Sequence, residues 1–165
     1  MFSSELDAQA RRLIDLARGK RLLIATAESC TGGLISGLIT EIPGSSDVFD
    51  RGFVTYSNAA KSRMLGVSPG LISAFGAVSS SVARAMAEGA LANSDAHVAV
   101  AVTGIAGPGG GTIDKPAGLV YLACARRGGD SRNLECRFGD IGRSEVRMAT
   151  VAAAVKMLEQ AVQEL

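Results

Sequence analysis

The run HVAVAVTG, residues 97–104, is the most strand-like segment of the chain and the one that most constrains its fold. RLLIATA, residues 21–27, reads as a second buried strand, and GFVTY, residues 52–56, alternates like a third up to Tyr56. Helical patterns stand between them. Residues 5–18 place Leu6, Ala10, Leu13, Ile14 and Ala17 at helical spacing, with Ser4 as cap and Gly19 as stop. Residues 31–42 follow as an apolar helix ending at Pro43-Gly44. Asn58 caps a short helix to Leu65, Ser68-Pro69 starts another, and Ser79 or Ser80 opens a longer one to about Ala92. Two more strands, residues 119–126 and 132–138, are joined by RGGDS as a hairpin, and one long helix, residues 143–164, closes the chain. Strands separated by helices, plus a hairpin, predict a three-layer α/β/α sandwich with a mixed, mainly parallel sheet of about five or six strands. No internal repeat or long linker divides residues 1–165, so a single domain is expected.

Composition narrows the functional classes. With 47% hydrophobic residues a chain of 165 can bury a sizeable core. Lys+Arg 17 against Asp+Glu 16 leaves a formal net charge of +1, with no basic block to follow a phosphate backbone, so nucleic acid is not the expected partner. Charged residues interrupt the first segment where a signal peptide would need its apolar core, and no run approaches the ~18 apolar residues of a membrane span. A cytoplasmic location is expected. Three cysteines, none spaced as CxxC, predict reduced thiols, and a two-residue turn at Gly128-Gly129 would put Cys124 and Cys136 on opposite faces of the hairpin. One histidine, His97, gives little from which to assemble a zinc site, so no metal is expected.

Parallel sheets place ligand sites at the carboxyl ends of their strands, and three segments fall there: 27–33, 56–61 and 103–111. In the first, TAESCTGG, Ser29 follows a strand and precedes a helix, beside backbone N–H groups suited to an oxyanion; the ordinary alternative is that Ser29 or Thr31 caps the helix. In the second, TYSNAAK, Lys61 occupies the third helical position, where the dipole and burial both depress a lysine pKa; an exposed surface lysine is the alternative. The third, TGIAGPGGGTIDKPAG, completes neither a P-loop nor GxGxxG and is a phosphate or ribose cradle or a surface loop. GVSPG at 66–70 mimics a nucleophile elbow, but Ser68-Pro69 is an ordinary helix start. His97 begins a strand, away from the carboxyl ends. Without a histidine, a nucleophilic Ser29 would need Lys61 or Tyr56 as its base, an arrangement suited to an amide or ester carbonyl.

The segments TAESCTGGLISGLIT, IPGSSDVFDRGFVTYSNAAKSRMLGV, GAVS and TGIAGPGGG…KPAGLVYLA closely resemble the C-terminal domain of the CinA family, the competence/damage-inducible proteins. The resemblance runs from about Leu6 to the last helix. It implies deamidation of nicotinamide mononucleotide (NMN) to nicotinate mononucleotide and ammonia, a step of pyridine-nucleotide recycling, without a cofactor. It further implies Ser29 as nucleophile, Tyr56 and Lys61 as its assistants, and Thr103 and Arg143 as substrate contacts. Backbone groups of Cys30, Thr31, Gly32 and Gly33 would serve the oxyanion, and those of Gly104 and Gly107 the phosphate. Larger members carry a further N-terminal domain resembling molybdopterin-binding folds, which is expected to be absent here. Two rival readings remain: Cys30 as nucleophile, favoured by thiol chemistry, and a nucleotide-binding or regulatory protein without turnover. The apolar residues of the last helix would pack on the sheet or supply a homodimer interface.

Overall fold

A computed structural model describes all residues, 1–165. Five strands, β1 (Ile24–Glu28), β2 (Phe49–Val54), β3 (Val98–Gly104), β4 (Leu119–Arg126) and β5 (Arg132–Arg137), form one sheet in the order β2-β1-β3-β4-β5. β1 runs parallel to both β2 and β3, while β4 is antiparallel to β3 and β5. Six α-helices cover it: α1 (Ser4–Lys20), α2 (Leu34–Glu41), α3 (Asn58–Leu65), α4 (Pro69–Phe75), α5 (Ser80–Ala92) and α6 (Arg143–Gln163). The sandwich expected from the alternation of strands and helices is the fold observed.

Strand periodicity sorts the core into two halves. Even-numbered residues Ile24, Val98, Val100, Val102, Val120 and Leu122 pack with α1, α2 and α6. Odd-numbered Ala25, Ala27, Ala99, Ala101, Ala123 and Ala125 pack with α5 and its neighbours. Each fully buried Leu or Ile on the first face contributes roughly 1.5–3 kcal/mol of transfer free energy. On the second face the small side chains let helices lie close to the sheet. Closeness extends to α3 and α5, where a Cβ on Gly89 would collide with the carbonyl oxygen of Leu65. The apolar side of α6, including Val151, Val155, Leu158 and Val162, is buried within the chain against α1 and the sheet.

Several boundaries depart from expectation for local reasons. Ser3, not Ser4, caps α1 by accepting from the Leu6 N–H, and the helix runs through Gly19 to end where Arg21 takes a left-handed φ of 57°. Ser57, not Asn58, caps α3, which moves Lys61 to the fourth helical position. α2 begins at Leu34 rather than Thr31, because residues 30–33 form turns. The hairpin pairs Val120 with Cys136 and Cys124 with Arg132, one residue out of the two-residue-turn register. Cys124 and Cys136 therefore share a face, four residues or ~13 Å apart along the ribbon, too far for a disulfide, and both are free thiols. No helix is long and apolar enough to cross a membrane.

Candidate active site

The carboxyl ends of β1, β2 and β3 open into a cleft of about 240 Å3 that collects residues from all three predicted segments: Ser29 and Cys30, Tyr56 and Lys61, Thr103 and Gly104. Arg143, from the start of α6, completes its rim. Thr31, Gly32, Gly33 and Gly107 lie outside this lining.

Alternation along β1 decides what each residue of the motif meets. Glu28 points to the α2 side and is fully buried. Its carboxylate accepts from the N–H groups of Gly33 (3.0 Å), Ile35 (3.0 Å) and Ser36 (2.8 Å) and from the hydroxyls of Thr31 (2.7 Å) and Ser36 (2.9 Å). A buried carboxylate is thereby balanced by the amino end of a helix, which saturates the donors left over at its first turn. Neither Ser29 nor Thr31 is the cap: Gly33 stands at that position without a side chain, and Glu28 supplies the acceptors from the preceding strand. The Gly32 N–H is also engaged, by the Ser29 carbonyl at 3.0 Å. Of the four N–H groups expected to serve an oxyanion, only those of Cys30 and Thr31 have no acceptor in another residue, and the Cys30 N–H meets its own thiol.

Ser29 continues the β1 ladder, its N–H donating to the Val102 carbonyl at 3.1 Å, and so faces the opposite side, towards α3. There the Lys61 Nζ lies 3.0 Å from Ser29 Oγ. Lys61 is 1% exposed, and its other partners are the carbonyls of Thr55 (2.9 Å) and Tyr56 (3.4 Å). No carboxylate balances it. Burial therefore pushes its pKa down from the ordinary value of 10.5. As placed, Nζ donates to Ser29 Oγ and to the two carbonyls, three acceptors for the three N–H groups of an ammonium; loss of one proton would leave a lone pair facing the Ser29 hydroxyl.

Cys30 belongs to the other half of the core. It is 6% exposed, and burial raises its thiol pKa to about 11, so the helix end does not yield the thiolate that a cysteine nucleophile needs. Tyr56, 61% exposed, stands at the mouth. Its hydroxyl accepts from Arg143 Nη2 at 3.0 Å, while Arg143 Nη1 donates to the Gly107 carbonyl at 3.0 Å. The phenol is thus tied to the arginine and not to Lys61. Thr103 donates its hydroxyl to the Ala77 carbonyl at 2.8 Å and fixes the wall formed by Ala77 and Val78.

Two predicted decoys stay outside. Ser68 caps α4 by accepting from the Leu71 N–H, and His97 Nδ1 accepts from the Leu23 N–H at 2.9 Å at the opposite end of the strands. Two further residues, Glu28 and Arg147, brace the turn after Ser29. Glu28 was detectable as the one charge ending an otherwise apolar strand run. Arg147, one helical turn after Arg143, donates to the carbonyls of Cys30 (3.1 Å) and Thr31 (3.0 Å), and its only sequence signal is that spacing.

A family model described as the CinA C-terminal domain matches residues 6–162. A CinA-like protein of Chlorobium phaeovibrioides is 51% identical over 156 residues, covering 91% of this chain and 36% of that protein. A second, of Akkermansia muciniphila, is 61% identical over 111 residues, covering 67% of this chain and 27% of that protein. The chain spans about a third or less of the length of these curated relatives. Among solved structures, the competence/damage inducible protein CihA from Agrobacterium tumefaciens superposes with a TM-score of 0.96 at 55% identity, covering 99% of this chain and 98% of that one. The competence or damage-inducible protein from Enterobacter asburiae gives a TM-score of 0.90 at 30% identity, covering 95% and 98%. In sequence over nearly its full length, and in fold, the chain belongs to the CinA C-terminal domain family.

Proposed function

We propose that the cleft hydrolyses the carboxamide of NMN to nicotinate mononucleotide and ammonia through an acyl-enzyme on Ser29. The observation that carries the proposal is the buried Lys61 Nζ, without a carboxylate partner, 3.0 Å from Ser29 Oγ. Neutral Lys61 takes the Ser29 proton as Oγ bonds to the carboxamide carbon. Negative charge then developing on the amide oxygen is met by the unengaged N–H groups that follow Ser29. Collapse breaks the C–N bond, and the proton held on Lys61 goes to the departing nitrogen, which leaves as ammonia. Water, deprotonated by the same amine, attacks the ester and returns Ser29 and the carboxylate product. No cofactor enters this sequence.

Arg143 supplies the anion site. A 5′-phosphate is a better acceptor for its guanidinium than the Gly107 carbonyl and the Tyr56 phenol that hold it otherwise. Tyr56 is assigned to the substrate's side of the cleft, since its hydroxyl follows Arg143.

Incubating the purified protein with NMN and with nicotinamide, and measuring ammonia from each, tests the proposal. Ammonia is expected from NMN, with little from the base alone, and Ser29→Ala should abolish it while leaving the circular dichroism spectrum unchanged. NMN binding by calorimetry with no ammonia produced would instead favour the nucleotide-binding reading. Retained turnover in Ser29→Ala would sink the serine mechanism.

A further inference from the structure

The turn after Ser29 contains two buried residues, Cys30 and Thr31, whose N–H groups have no acceptor beyond their own residue, the Cys30 N–H meeting only its own thiol. Unpaired N–H groups in buried residues cost about 1–3 kcal/mol each and are retained where something else uses them. Their directions are fixed by the carbonyls beside them, because in a trans peptide the C=O and the next N–H point opposite ways. The Ser29 carbonyl is held by the Gly32 N–H, which orients the Cys30 N–H. The Cys30 carbonyl is held by Arg147 Nε at 3.1 Å, which orients the Thr31 N–H away from α6. A second bond, from Nη2 to the Thr31 carbonyl at 3.0 Å, makes the guanidinium a two-point clamp on consecutive peptides. Glu28 grips the same turn from below through the Thr31 hydroxyl and the Gly33 N–H.

We infer that Arg147 is a positioning residue: its hold on the Cys30 carbonyl aims the Thr31 N–H, and its hold on the Thr31 carbonyl sets the Gly32 N–H that in turn holds the Ser29 carbonyl and so aims the Cys30 N–H, both towards the oxygen that becomes charged when Ser29 attacks. Arg147 does not line the cleft and touches no reacting atom. A fork of parallel N–H donors suits the role, since a lysine ammonium is a point donor that cannot hold two successive carbonyls in one plane. The inference rests on Ser29 being the nucleophile and does not depend on which amide is the substrate.

The test uses an alkyl fluorophosphonate, which places a phosphoryl oxygen where an amide oxygen would be charged. Ser29 Oγ bonds to phosphorus, the P–F bond breaks, fluoride leaves with the electron pair, and Lys61 takes the serine proton. Wild type should be labelled at Ser29 and Ser29→Ala not at all. Arg147→Met, which keeps the aliphatic stem, should label about 10- to 100-fold more slowly, less than the roughly 100- to 1000-fold of losing an oxyanion donor outright because the donors stay and only their aim is lost. Arg147→Lys should recover only part of the loss. With NMN as substrate, kcat should fall by a similar factor, while KM and the pH midpoint set by Lys61 stay in place. A loss of packing alone would not produce that split. Labelling of both Arg147 variants at the wild-type rate, or a change confined to KM, overturns the inference. If Arg147→Met melts below the assay temperature, the Arg147→Lys labelling rate decides alone. Wild type that is labelled but releases no ammonia from NMN defeats the substrate assignment and leaves the clamp to be judged on labelling rates. Wild type that is not labelled removes the nucleophile and the clamp together.

Discussion

On the side of α1, α2 and α6 the strands present Ile, Val and Leu; on the side of α3, α4 and α5 they present alanine after alanine. The first face supplies most of the buried apolar volume. The second gives up that volume in exchange for proximity, and proximity lets a side chain from α3 reach the end of β1. Consecutive residues of one motif are divided by this difference. Glu28 and Cys30 fall on the bulky side and become a helix cap and a silent thiol; Ser29, between them, falls on the thin side and meets the lysine. Reactivity here is a matter of parity as much as of residue type.

Lys61→Met should give the largest effect. Loss of the base is expected to lower kcat/KM for NMN about 10³- to 10⁴-fold, measured as ammonia release. In the wild type, activity should rise with pH as the buried amine loses its proton, at a midpoint below the ordinary 10.5. Stability should follow the same direction. The unfolded chain holds the lysine proton more tightly than the folded chain does, so folding carries a penalty at low pH that fades as pH climbs towards 10.5. The buried thiols Cys30 and Cys124, raised to about 11 and about 12, act with the opposite sign above their ordinary 9.0. The lysine contribution is therefore read as the difference in denaturant stability between wild type and Lys61→Met across pH.

Glu28→Ala attacks the other side of the motif. Several donors would lose a buried acceptor at once, at a cost of about 3 kcal/mol or more by urea denaturation. Next comes a matched pair on β3. Val100→Ala should cost about 2 kcal/mol with kcat nearly intact, whereas Ala101→Leu should cost about 1–3 kcal/mol by overpacking and also reduce kcat, since it pushes on the helical layer that carries Lys61. Equal kinetic effects from the two would break the distinction between the faces. Smallest of all, Cys30→Ala should change kcat by no more than about twofold, and iodoacetamide at neutral pH should leave wild-type activity intact because the thiol is protonated.

The strands were legible because they are apolar runs of the right length, and the convergence of three segments followed from where parallel strands end. Ser29 and Lys61 could be paired once His97 was set aside, since strand starts and strand ends lie at opposite edges of the sheet. What local patterns could not supply was the competition for donors. Any serine before a helix reads as its cap, and only the folded chain shows Glu28 reaching ahead to Gly33, Ile35 and Ser36. The hairpin register was missed because RGGDS offers two glycines to a short turn while the chain uses a longer loop. Arg147 was missed because a helix-surface arginine carries no mark of the carbonyls it finds 116 and 117 positions away.

Gly89 is remote from the cleft, yet its missing methyl group sets how deeply α5 receives the end of α3 at Leu65. Lys61 stands one turn back on that same helix. The separation of amine and hydroxyl is thus gauged by a spacer of zero thickness at the C-terminal end of the lysine's own helix. Any added thickness there would be passed down α3 as a rigid displacement, so the 3.0 Å between Nζ and Oγ is held by a position outside the cleft.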